Sequence, residues 1–166
     1  MQKGEDRKDR RNGREKGGRF RSRHAPMDEK VKQVISEAET TLSGSMTPYS
    51  TKGLNAFQRK MLHKHFERTQ EYKVKAYQEE SDYTIKIFPV GQLRRFAEQK
   101  AQEVLMSGEN QALPPMGAFE RFIIHDYLKD RGGIRTESFG EGDDRHIEIS
   151  PLFGRTLKKA KRRLSR

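Results

Sequence analysis

Apolar residues recur along the chain at two kinds of spacing, and the two alternate. Val31, Val34, Ile35, Ala38 and Leu42 fall at three- and four-residue intervals, which predicts an amphipathic helix over 27–42 with Asp28 as its cap and Gly44 as its stop. Residues 43–53 read as a turn-rich connector, and a second helix is expected over 54–66. Tyr72 to Tyr77 and Tyr83 to Phe88 have strand-like composition. A third helix is bracketed by Gly91 and Gly108. From Leu113 to Pro151 the pattern gives an amphipathic helix, a strand, a glycine-rich acidic turn and a second strand. On that last helix Phe119, Ile123, Ile124, Tyr127 and Leu128 share one apolar arc suited to lying on a sheet. Arg121 and His125 sit just past the edge of the arc. Being four apart, they are stacked neighbours at the rim of the expected core.

The first half of this pattern repeats in the second at a constant offset of 62 residues, without a gap. Phe57 matches Phe119, Arg59 matches Arg121, His63 matches His125, Ile85 matches Ile147, Ile87 matches Ile149 and Pro89 matches Pro151. The leading helices align too, with Val31 facing Leu93 and Leu42 facing Val104. A repeat in this register implies a tandem pair of one small α+β fold, each copy two helices packed on a small, mainly antiparallel sheet. The expected organisation is a basic tail over 1–26, a degenerate first module over 27–90, a second module over 91–153 and a basic tail over 154–166. A module of about sixty residues buries only about 60% of its unfolded surface, so the copies are expected to pack together. They are unequal: Gln78 and Glu80 stand where the second has Gly140 and Gly142, Tyr83 replaces Arg145, and Lys52-Gly53 replaces Pro114-Pro115.

Charge changes the picture once it is located. The net charge is +11, of which residues 1–25 carry +6 and residues 154–166 carry +7, leaving −2 for everything between. Attraction to a polyanion therefore comes mainly from the ends. The first tail has almost nothing to bury and is expected to be disordered. Its Gly17–Arg23 stretch reads either as a short arginine/glycine RNA-binding tract or as a solubilising segment. In the last tail Leu157, Ala160 and Leu164 have helical spacing amid cations. Nuclear-localisation clusters and membrane-surface helices look similar. Arg19, Arg21, Arg23, Lys158, Lys159, Lys161, Arg162 and Arg163 are the candidate phosphate contacts of the tails.

Other chemistry is thin. The chain has no cysteine, which removes disulfides, thiolate catalysis and cysteine-ligated zinc. His63 and His65 lie about 200° apart on a helix, unsuited to one metal ion, so no metal site is expected. There is no Walker loop, nucleophile elbow or paired-carboxylate motif, and hence no cofactor or enzymatic activity is expected. No window approaches a membrane span and the start lacks an apolar signal region, so a cytoplasmic protein without membrane insertion is expected.

Glu120-Arg121-x-x-x-His125, preceded by Leu-Pro-Pro-Met and followed by Thr136-Glu-Ser-x-Gly-Glu-Gly-x-x-Arg145-x-Ile-x-Ile-x-Pro151, resembles the R-3-H domain. It is most similar to the carboxy-terminal domain of the bacterial Jag type, which couples a KH domain to an R-3-H domain and binds RNA. The Gly-x-x-Gly clamp of a KH domain is not found here. The resemblance implies a non-enzymatic binder of single-stranded RNA. Its contacts would be Arg121, His125 and Arg145, with Arg59 and His63 in the first copy; the second copy is expected to be the better site. An arginine offers a phosphate its bidentate fork, and a histidine hydrogen-bonds a phosphate or base and gains a proton beside an anion. Phe122 or Phe139 would supply a stacking surface, or serve in ordinary packing. The alternative for the pair is structural, with Arg121 held by Glu120 or Glu137 and the histidine satisfying the backbone. At the level of function the alternatives are a protein-interaction scaffold whose tails alone touch RNA or the ribosome, and a single-stranded DNA binder.

Overall fold

In a computed structural model, described over residues 28–79 and 82–152, the same order of elements occurs twice. The first half runs α1 (Glu29–Leu42), β1 (Tyr49–Thr51), α2 (Ala56–Phe66), β2 (Lys73–Glu79) and β3 (Asp82–Phe88). The second runs α3 (Val90–Ser107), β4 (Gln111–Ala112), α4 (Ala118–Leu128), β5 (Ile134–Phe139), a 3-10 turn (Gly142–Asp144) and β6 (His146–Pro151). Each half has a three-stranded antiparallel sheet with the last strand in the middle, β1-β3-β2 and β4-β6-β5. Shifted by 62 residues, α2 coincides with α4 at both ends. Both expected tails and residue 153 lie outside the described residues.

Local chemistry accounts for most boundaries. Asp28 accepts the Lys30 amide at 2.9 Å and starts α1, while Gly44, at φ 76°, follows its end. Asn55 and Gln58 exchange side-chain and backbone bonds in a capping box at the start of α2. Gly108, at φ 71°, caps α3. The connector expected over 43–53 contains a strand instead: Tyr49 to Thr51 pairs with Ile87 to Ile85, and β4 does the same against β6. Strands of three and two residues are too short to show a period, so pairing alone defines them.

Two cores result, one per half. At seven offset-related apolar pairs both members are buried: Val31/Leu93, Ile35/Ala97, Leu42/Val104, Leu62/Ile124, Phe66/Leu128, Ile85/Ile147 and Ile87/Ile149. One member of the expected α4 arc departs from it. Tyr127 is 41% exposed, its ring at the rim beside the Arg94 guanidinium at 5.9 Å, where an amphipathic ring keeps its hydroxyl in water. Glu120 is buried in its place.

The halves join without a linker, since β3 ends at Phe88 and α3 starts at Val90. Phe88 packs in the second core, edge-on to Phe119 at 4.6 Å. The Gly91 amide donates to the Glu71 carbonyl at 2.9 Å, and the Glu71 carboxylate occupies the space a Cβ on Gly91 would need. That carboxylate also receives Arg95 at 2.9 Å. The junction is thus fixed by packing, by a backbone bond and by an ion pair.

Candidate nucleic-acid interface

The rim of α4 is organised by its approach loop. Leu113 donates to the Ile147 carbonyl at 2.8 Å and Met116 to the Arg145 carbonyl at 3.2 Å, so the loop lies along the start of β6. Arg121 closes it: Nη1 donates to the Met116 carbonyl at 2.5 Å and reaches the Arg145 carbonyl at 3.4 Å. Arg59 repeats the bond in the first half, donating from Nη1 to the Leu54 carbonyl at 2.7 Å. There the guanidinium also lies 4.1 Å over the ring of Tyr83, which takes the position of Arg145. In both halves the arginine clasps the carbonyl five residues upstream. Of the two carboxylates considered for Arg121, Glu120 turns back over Gly117 and Glu137 takes Arg135.

The histidines are placed differently. His125 is half-buried between two hydroxyls of β5, with Nδ1 2.7 Å from Thr136 Oγ1 and Nε2 3.0 Å from Ser138 Oγ. Burial, and then the charge of Arg121, hold its pKa below the ordinary 6.5, which favours the neutral ring. A neutral imidazole donates at one nitrogen and accepts at the other, matching two hydroxyls that can each do either. In the first half Val74 and Ala76 stand where Thr136 and Ser138 would be. His63 turns instead to Glu67, 3.6 Å from Nδ1. His65 faces Glu39 at 3.0 Å, so the two neighbouring rings serve different elements.

Arg145 is exposed and lies at the entrance of β6, one residue before the strand begins. The cause is the turn, in which Gly142–Asp144 coils into 3-10 geometry. Gly140 permits this, at φ 82° with the Asp144 carbonyl 2.9 Å from where a Cβ would sit. The Arg145 carbonyl is used by Met116 and Arg121, while its side chain has no carboxylate partner among the described residues. Phe139 is 43% exposed, with the His146 ring at 6.5 Å.

One set of residues escaped the reading from sequence. Lys60, Lys64 and Arg68 are exposed on and just after α2, without an ion pair among the described residues. At the offset they correspond to Phe122, Asp126 and Asp130. The repeat register held this difference, since aligning charges as well as matches reveals a cationic outer face on the first half alone.

Among the described residues no helix is long and apolar enough to cross a membrane. A 60-residue stretch is 42% identical to the RNA-binding protein KhpB of Bacillus subtilis, covering 35% of this chain and 29% of that protein. A 57-residue stretch is 40% identical to the RNA-binding protein KhpB of Lactiplantibacillus plantarum, covering 34% of this chain and 17% of that one. The chain thus spans less than a third of the length of these curated relatives. Residues 91–151, from α3 through β6, match the R-3-H domain, so the second half carries one such domain with homology to the KhpB type.

Proposed function

We propose that the chain is a non-enzymatic binder of single-stranded RNA, with the first half a degenerate second module of the same kind. The observation that carries the reading is the match of residues 91–151 to the R-3-H domain together with two relatives named as RNA-binding. The geometry supports a division of labour at the site. Arg121 anchors the loop through Nη1 and keeps three further guanidinium N–H groups for a phosphate. His125 fixes β5 beside it and offers a ring edge. Arg145, exposed at the strand entrance, supplies the uncompensated charge. In the first half Arg59 makes the matching loop contact and His63 holds the matching register position, and Lys60, Lys64 and Arg68 add cations. Arg19, Arg21, Arg23, Lys158, Lys159, Lys161, Arg162 and Arg163 would gather phosphates nonspecifically.

The test is anisotropy binding of a single-stranded RNA to the full chain across a salt series. Each lost phosphate contact lowers the log–log salt slope by about 0.7 for a single strand. Arg145→Gln is expected to lower it by about one such step and to weaken binding. Replacing these eight of the seventeen tail cations by Gln is expected to lower it by several steps while leaving measurable affinity. Absence of binding by the wild-type chain at low salt overturns the reading. Complete loss on tail replacement, with Arg145→Gln silent, assigns the affinity to the tails alone.

A further inference from the structure

The two halves meet over an open cleft of about 370 Å³ with walls from both. Lys75 of β2 lies on one side, Phe119, Phe122 and Asp126 of α4 on the other, and Arg94 of α3 also lines it. A second hollow of about 410 Å³ shares Gln70 and Arg94 with the first and is bordered by Tyr127. The two hollows therefore adjoin at Arg94.

Charge in this groove is almost cancelled, with two exceptions. Glu67 is paired with Lys73 at 3.1 Å, Asp126 with Lys129 at 2.9 Å, Glu71 with Arg95 at 2.9 Å and Glu98 with Arg131 at 2.7 Å. Lys75 and Arg94 have no carboxylate partner among the described residues, so the residual charge of the groove is theirs. Arg94 Nε is moreover buried without an acceptor, an arrangement folded proteins rarely leave unanswered.

The aromatic side of the groove ends in a free ring face. Phe88 meets Phe119 edge-on at 4.6 Å, and Lys75 Nζ sits 3.5 Å over the Phe119 ring. Phe119 in turn lies nearly parallel to Phe122, with centroids 6.0 Å apart and planes 16° apart. Phe122 is 59% exposed at the end of this series, backed by Phe119 and, behind it, Phe88. An exposed ring stacked on another ring, beside two uncompensated cations, suits a base followed by its phosphate, because every base has a π-face and every linkage one negative charge.

We propose that this groove between the halves is a single-stranded RNA site, with a base stacked on Phe122 and the adjoining phosphate on Arg94 and Lys75. It rests on the RNA-binding reading above and locates a contact away from the Arg121 and His125 rim. Phe57 provides an internal control: it holds the position of Phe119 at the repeat offset and is exposed as fully as Phe122, at 59%, but does not line the groove.

The experiment uses the full chain and a short oligouridine carrying 2-aminopurine, read by anisotropy and by quenching of the reporter on stacking. Phe122→Leu, which keeps apolar bulk and removes the ring, is expected to weaken binding roughly five- to a hundredfold and to relieve the quenching. Phe122→Trp is expected to retain both signals, and Phe57→Leu to bind within about twofold of wild type. Arg94→Gln is expected to weaken binding and flatten the salt dependence. Wild-type binding with Phe122→Leu equally tight and equally quenched overturns the groove while the RNA-binding reading stands. No binding by the wild-type chain overturns both.

Discussion

The two halves of the molecule share an arginine and part company at the histidine four residues later. Arg59 and Arg121 make the same bond to the same loop position, at 2.7 and 2.5 Å, although the surrounding loops differ in sequence. His125 is held by two strand hydroxyls, whereas His63, lacking them, leans toward Glu67. The arginine of the pair is therefore part of how the fold closes its approach loop. The histidine's environment is written on the neighbouring strand and varies with it. Outer faces diverge further: residues 28–89 hold ten Lys/Arg against nine Asp/Glu, and residues 90–153 eight against eleven. The half that matches the R-3-H domain is the more acidic one.

The largest effects are expected from the two cores. Leu62 and Ile124 are fully buried at equivalent positions, and truncating either to Ala should cost about 2–5 kcal/mol through lost transfer energy and the cavity left behind. Because Phe88 of the first half packs in the second core and no linker separates β3 from α3, both variants should lower one shared transition. Denaturant unfolding followed by circular dichroism and by calorimetry checks this. Two separable transitions, each moved by only one of the variants, would show halves that fold independently.

A medium effect is expected at the clasp. Arg59→Ala and Arg121→Ala each remove a charged donor from a loop carbonyl, which should destabilise by about 1–3 kcal/mol. Lys at either position keeps the charge without the planar fork and should recover only part of the loss. If Arg121→Ala proves neutral while Arg59→Ala does not, the shared bond is decoration in the second half and stacking on Tyr83 explains the first.

Most of the fold was legible because its periodicities are long. Helices over 27–42, 54–66 and 90–108, and the strand pairs after them, lie within a few residues of the observed elements, since each carries several turns or alternations and a chemical cap. β1 and β4 were hidden because two or three residues carry no period and their partners lie 34 residues or more away. At the site the residues were nameable but their partners were not. Nothing within Arg121-x-x-x-His125 says that the arginine will turn to Met116 or that Thr136 and Ser138 will flank the histidine. Likewise Phe57 and Phe119 are the same residue in the same register. Only the second packs against a preceding half, so one is 59% exposed and the other half-buried.

The smallest effect sharpens the difference between the histidines. His125 has a folded pKa held below 6.5 by burial and by Arg121, so protonation favours the unfolded chain. Its contribution to stability is complete above the unfolded value of about 6.5 and is lost as the pH falls through the folded value. Because the ring is only half-buried, solvent screening keeps the effect small, about 1–2 °C in Tm. The measurement is the change in Tm between pH 7.5 and pH 5 for wild type and for His125→Asn, which cannot titrate. Wild type should lose the extra amount on acidification, and Thr136→Val, which removes a hydroxyl that a charged ring could use and makes its surroundings more apolar, should enlarge the difference. An equal acid response in wild type and His125→Asn would mean that the two hydroxyls hold the charged ring as readily as the neutral one. The second half's histidine would then be as free to take a proton as a phosphate contact requires.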